Sequence, residues 1–289
     1  MSEPLSIGMC AQAACILDVG VLKPGNVALM SGFRDMNAID MLLSAAAIAP
    51  VLDQAPLRRV GDTILDCIRA TRRVTNVNTN LGIVLLLAPM ASVQPGLDLR
   101  GGVTRMLMRL DVADARAAYE AIRRAQPGGL GTVPEQDVIG DPTVTLREAM
   151  GLAADRDLVA RQYVNDFEQV FEGAEYLRQE LQNTRSNVGG AVVQLFMRTL
   201  AKYPDSLIVR RHGQRAADEV SARAREIVKS QSGYHLASLI GFDEWLRQKV
   251  TPPRNPGTTA DLVTASLFVA LRQNIIQLPF AAAVDRAPG

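Results

Sequence analysis

The run Val159-Ala-Arg-Gln-Tyr163-Val-Asn-Asp-Phe167-Glu-Gln-Val170-Phe-Glu-Gly-Ala174-Glu-Tyr-Leu177-Arg-Gln-Glu-Leu181 decides the fold class. Val159, Tyr163, Phe167, Val170, Ala174, Leu177 and Leu181 recur every three or four residues, while Arg161, Asp166, Glu168, Glu172 and Glu175 fill the other side. That spacing predicts one long amphipathic helix of about six turns. The same period returns in Leu57, Val60, Ile64, Cys67 and Ile68, with Arg58, Arg59, Asp62, Asp66, Arg69 and Arg73 on the polar face. Further helices are expected over 4–19, 36–53, 79–93, 101–110, 112–125, 187–202, 213–230, 234–248 and 258–277, and no run alternates with the period of a strand. The expectation is an all-α protein, a single compact many-helix domain over residues 1–289. Aromatic residues are only 4 %, so the apolar content is mostly small or aliphatic side chains that suit close helix packing.

Charge narrows the function classes. The chain has 31 Lys and Arg against 30 Asp and Glu, interspersed, with a formal net charge of +1. A protein that neutralises phosphate backbones would show a basic excess, so no nucleic-acid partner is expected. The N-terminus lacks the basic and continuously apolar regions of a secretory signal. The run Leu81 to Val93, broken by Pro89, is short of the ~20 residues a spanning helix needs, and no membrane partner is expected. Cys10, Cys15 and Cys67 are scattered among apolar or small neighbours, as buried thiols in a reducing cytoplasm would be. His212 and His235 are too far apart for a histidine metal motif, so a metal would be held by oxygen.

Three stretches interrupt the helical pattern. Leu22 to Met36 reads as a polar loop; Gln126 to Thr145, with Pro127-Gly128-Gly129-Leu130-Gly131, reads as a mobile Gly/Pro-rich loop; and Thr251 to Gly257 carries three prolines. Walker-type, dinucleotide-binding and nucleophile-elbow motifs are absent, so the chemistry has to be read from these and other polar segments. Thr75-Asn76-Val77-Asn78-Thr79-Asn80 places five amide or hydroxyl side chains before the apolar run at Leu81. One helix cap accounts for one of them, and a polar binding role competes for the rest. Lys23, Asn26, Arg34 and Asp35 share a loop that either holds a phosphate with Mg²⁺ or is simply solvated. Asp205 to Gly213 joins two expected helices, and its Arg210 and Arg211 suit a polyphosphate; His212 reads more readily as a surface histidine. Gly128 to Gly131 either lets amides approach phosphate oxygens or serves as a connector. In Asn255-Pro256-Gly257-Thr258-Thr259-Ala260-Asp261, Thr258 and Asp261 have capping-box spacing, yet an Asp in a first helical turn also faces any ligand docked there.

Taken in order, Lys23-Pro24-Gly25-Asn26-Val27 with Arg34-Asp35-Met36, Val77-Asn78-Thr79-Asn80-Leu81-Gly82, the Asp205–Gly213 segment and Asn255 to Leu262 resemble the triphosphoribosyl-dephospho-CoA synthase family over nearly the whole chain. The resemblance implies an all-helical, cytoplasmic transferase that takes ATP as Mg-ATP. It would move the triphosphoribosyl group to a hydroxyl of 3′-dephospho-CoA or a related cofactor precursor, with release of adenine. On that basis Asp35, Asp205 and Asp261 are the expected catalytic carboxylates, with Asp35 and Asp261 also on Mg²⁺. Lys23, Asn26, Arg34, Arg210, Arg211, Asn255 and Thr258 would bind the nucleotide, with Lys23, Arg210 and Arg211 on the triphosphate and Asn78, Thr79 and Asn80 on ribose or base. Where the decarboxylase-linked members carry a His-Lys pair, this chain has Asn80-Leu81. In this it is similar to the branch seen in archaea and one-carbon-metabolising bacteria, which implies as alternative a role in tetrahydromethanopterin or methanofuran-type cofactor synthesis. A further alternative is a non-catalytic helical partner that binds a nucleotide or a protein. A homo-oligomer is compatible with each.

Overall fold

A computed structural model describes residues 4–33, 35–128, 137–182, 187–230, 235–248 and 252–280. Among them lie fourteen α-helices and no strand, so the all-α expectation holds. In chain order they are α1 (Ile7–Val19), α2 (Ala38–Asp53), α3 (Val60–Thr71), α4 (Leu81–Ala91), α5 (Leu99–Leu107), α6 (Val112–Ala125) and α7 (Leu146–Gly151). There follow α8 (Leu158–Gln162), α9 (Glu168–Gln182), α10 (Val188–Lys202), α11 (Ser206–His212), α12 (Gln214–Lys229), α13 (Leu236–Arg247) and α14 (Gly257–Arg272).

The architecture is organised around α14 and α4. From Thr258 to Leu271 every residue of α14 except Asp261 is buried, and in α4 every residue except Gly82 is buried. A helix apolar all round belongs in the middle of a domain, and α14 packs against α1, α4, α9 and α10. The amphipathic helices α3, α6 and α12 lie outside, each turning a polar face to solvent. One buried core runs from Ile7 to Ile276.

Several boundaries differ from the sequence expectation. The stripe from Val159 to Leu181 is two helices, because Asp166 and Phe167 take left-handed backbone angles (φ 57° and 60°) between α8 and α9. Both Tyr163 and Phe167 are fully buried with ring centroids 5.7 Å apart, and the Tyr163 hydroxyl donates to the Leu85 carbonyl at 2.6 Å. Burial of these rings, with Tyr163 bonded to α4, outweighs the modest unfavourable energy of the bend. The Asp205–Gly213 segment, read as a connector, contains α11, and α7 was also not expected. The last helix ends at Arg272, not 277. The Leu22–Met36 loop is not solvated throughout, since Lys23 to Ala28 are buried. By length and composition Ala38–Leu57 could also cross a membrane; in this fold 39 % of its apolar 18-residue window is buried, and α2 packs on α1 and α3.

Candidate active site

All four polar segments meet around one cavity of about 720 Å³, a size that suits a nucleotide. The 22–36 loop contributes Asn26 and Asp35, the 75–82 segment Asn78, Thr79, Asn80 and Gly82, helix α11 Arg210 and Arg211, and the start of α14 Thr258 and Asp261, preceded by Asn255. Helices α6, α7 and α8 add apolar residues to the lining, among them Tyr119, Ile122, Met150 and Val159. The lining thus mixes polar and apolar groups.

Each polar segment is fixed from behind. The Asn26 side chain donates to Asn255 Oδ1 at 2.8 Å, tying the first loop to the last. Helix α13 clamps the same loop: Asp243 Oδ1 accepts the Gly25 amide at 2.7 Å, and Arg247 pairs with Asp243 at 2.9 Å while donating to the Asn26 carbonyl at 2.5 Å. Gly25 has φ 76°, and a methyl there would lie 2.7 Å from Leu246, so the turn requires glycine. In the Asn-Thr segment the polar groups are mostly committed: Thr79 Oγ1 shares a hydrogen bond with Ser44 Oγ at 2.6 Å, Asn80 donates to Thr71 Oγ1 at 2.9 Å, and Asn78 Oδ1 accepts the Leu81 amide at 3.1 Å. Among the described residues the next two amides of α4, Gly82 and Ile83, meet no acceptor, and both residues line the cavity. A helix start with free amides favours an anion.

Two expected site residues do not reach the cavity. Lys23 is fully buried; its ammonium lies 3.2 Å from Asp18 Oδ2 and donates to the Asp18 carbonyl, so it is a core ion pair and not a triphosphate grip. Asp205 is also fully buried: Oδ1 accepts the Leu207 and Ile208 amides as cap of α11, and Oδ2 accepts the Thr259 amide and hydroxyl at 2.7 and 2.8 Å. With both oxygens engaged it acts as a structural clamp, not a catalytic carboxylate. The Thr258–Asp261 capping box is absent, because α14 begins at Gly257 and carries no side-chain cap. Arg34 and Gly129 to Gln136 lie outside the described residues.

The remaining carboxylate of interest is Asp261. No described side chain or amide bonds it, and its exposure is to the cavity at the centre of the domain. Burial pushes its carboxyl well above the ordinary carboxylate range; Asp205, Asp18 and Asp157 push the same way, and Arg210 opposes them. Arg210 itself donates to Asp157, is one-quarter exposed, and has a buried Nε without a partner. Asp35 stands exposed on the cavity rim. The sequence reading missed Asp157, which caps α8, and Arg72, which lines the cavity while holding the Asn76 carbonyl at 2.5 Å.

Residues 4–279 match the family model described as ATP:dephospho-CoA triphosphoribosyl transferase. The chain belongs to this transferase family. A crystal structure described as that of a candidate triphosphoribosyl-dephospho-CoA synthase from Archaeoglobus fulgidus is similar at 29 % identity, with a TM-score of 0.64, over 80 % of this chain and 98 % of that one. No curated protein matches the sequence. The protein is therefore a transferase.

Proposed function

We propose that this transferase moves the triphosphoribosyl group of ATP to an acceptor hydroxyl in the cavity beside Asp261. The observation that carries the reading is the convergence of two guanidiniums, two unpaired helix amides and an unpartnered carboxylate on one cavity. In the reaction the acceptor oxygen forms a bond to C1′ of the ATP ribose as the C1′–N9 bond breaks. Adenine departs with that electron pair and takes up a proton, while the acceptor hydroxyl loses its own. Asp261 accepts the hydroxyl proton: a carboxylate whose pKa burial has raised is a stronger base than an ordinary one. Arg210, Arg211 and the start of α4 hold the triphosphate, and Asn78 and Asn255 orient the ribose.

The residues present also fit Mg²⁺. Asp35 is an oxygen donor at the cavity rim, Asp261, expected to share the ion, is kept for the proton, and no group of three or more His, Cys, Asp or Glu among the described residues forms a ligand cage. Such a sparse set suits an ion carried mainly by ATP phosphates, where it neutralises triphosphate charge.

The acceptor is 3′-dephospho-CoA in the first reading. A second reading, an acceptor from tetrahydromethanopterin or methanofuran-type cofactor synthesis, is favoured by Asn80 and Leu81: both are buried, Asn80 is bonded to Thr71, and neither supplies the cation or proton of a His-Lys pair. The test is chromatographic detection of adenine from Mg-ATP with each acceptor in turn. Adenine formed only with 3′-dephospho-CoA supports the first reading, formation only with a pterin or furan precursor the second, and no adenine with any acceptor overturns both.

A further inference from the structure

We infer that Gly82 is a positioning residue: its missing side chain is the space in which the Asp261 carboxyl group lies against the first turn of α4 and faces the cavity. The inference rests on the proposed role of Asp261 in proton transfer. A methyl built on Gly82 would stand 2.0 Å from Asp261 Oδ2 and 2.6 Å from its Cγ, and its three nearest neighbours all belong to Asp261. The backbone gives no other reason for glycine. Gly82 does not share the positive φ of Gly25, Gly96 and Gly213, and inside a helix glycine is less favourable than alanine.

The two helices agree on this point. Gly82 is the one residue of α4 that is not buried, and Asp261 is the one residue between Thr258 and Leu271 of α14 that is not buried. The two fully packed helices therefore open on the cavity where glycine meets carboxylate. Any side chain at position 82 would swing the carboxyl group off the α4 amide end, because the short aspartate can rotate and the packed backbones cannot. The fold would survive while the base lost its aim.

The experiment compares Gly82→Ala, Asp261→Ala and the double variant, reading melting temperature, adenine release from Mg-ATP with the acceptor that supports turnover, and the pH profile of kcat. The expected result for Gly82→Ala is a melting temperature at or near wild type, a kcat lower by ~10-fold or more with KM for ATP changed less than about threefold, and a displaced acidic limb of the profile. In the Asp261→Ala background, where the obstructing atoms are gone, Gly82→Ala should change kcat less than about twofold. If Gly82→Ala instead lowers the melting temperature, the same change must be neutral or stabilising beside Asp261→Ala. Wild-type kcat and pH profile in Gly82→Ala, with Asp261→Ala slowed to a low but measurable kcat, would overturn the role of Gly82 alone. So would losses that multiply in the double variant, or a melting defect that Asp261→Ala does not relieve. Wild-type kcat in Asp261→Ala would instead overturn the role of Asp261, and the positioning role with it.

Discussion

Asp261 shows how one residue can carry opposite pulls on stability and chemistry. Its folded pKa lies above the unfolded value, so its contribution to stability is fully present below the ordinary carboxylate range and is lost as pH rises through the folded pKa. Asp261→Asn removes that titration with nearly the same shape. The variant should therefore melt higher than wild type toward neutral pH, with the gap closing near about pH 4. Adenine release should fall by ~10²-fold or more. Melting curves over that pH range beside single-turnover assays check both, and wild-type behaviour in the two would take Asp261 out of the site. Arg210 makes a second case: Arg210→Gln should raise KM for ATP by roughly tenfold, with a smaller change in kcat, since its charge serves triphosphate binding. An unchanged KM would assign Arg210 to Asp157 alone. The sequence placed Asp261 correctly at a helix start but tied it to Thr258 by spacing. What spacing could not show is that α14 begins earlier and that its Thr259 amide is taken by Asp205, which is remote in sequence.

That long-range bond belongs to the scale of elements. Asp205 joins α11, which carries Arg210 and Arg211, to the first turn of α14, which carries Asp261, so one buried carboxylate sets both against the cavity. Asp205→Asn exchanges an acceptor oxygen for a donor and leaves inward-facing donors unmatched. It should destabilise the protein by about 1–3 kcal/mol while the folded fraction keeps its turnover. Chemical denaturation with assays on the native fraction measures this, and a stable but inactive variant would restore Asp205 to a chemical role. The same comparison explains which elements were legible. Helices with a strong polar face, such as α3 and α6, follow from their period, whereas the α8–α9 break arises from Tyr163 packing onto α4 and has no local signal. Lys23 misled although its partner is only five residues away: a lysine in a Pro-Gly loop looks solvated, and only the fold buries the Asp18–Lys23 pair in the core.

At the scale of the whole molecule, the cavity exists because chain segments near residues 26, 78, 210 and 258 are drawn together by two buried helices. The motifs were legible as polar interruptions, but their convergence is a property of α4 and α14 packing, and the apolar lining from α6, α7 and α8 carried no motif at all. A ligand that bridges these segments should stabilise the native fold as a unit, since it binds only when all are in place. At a hundredfold excess over its dissociation constant, Mg-ATP should add about 2.7 kcal/mol, or roughly 5 °C in melting temperature. The combined variant Arg210→Gln with Arg211→Gln should lose most of that shift; without nucleotide it should melt somewhat below wild type, because Arg210 gives up its ion pair with Asp157 while Arg211 is exposed at the cavity. The comparison has to be made at constant ionic strength, where screening of the triphosphate is the same for both proteins. An equal shift in the variant would place ATP elsewhere on the molecule. No shift in either would mean that the four segments assemble a cavity for the acceptor and not for the nucleotide.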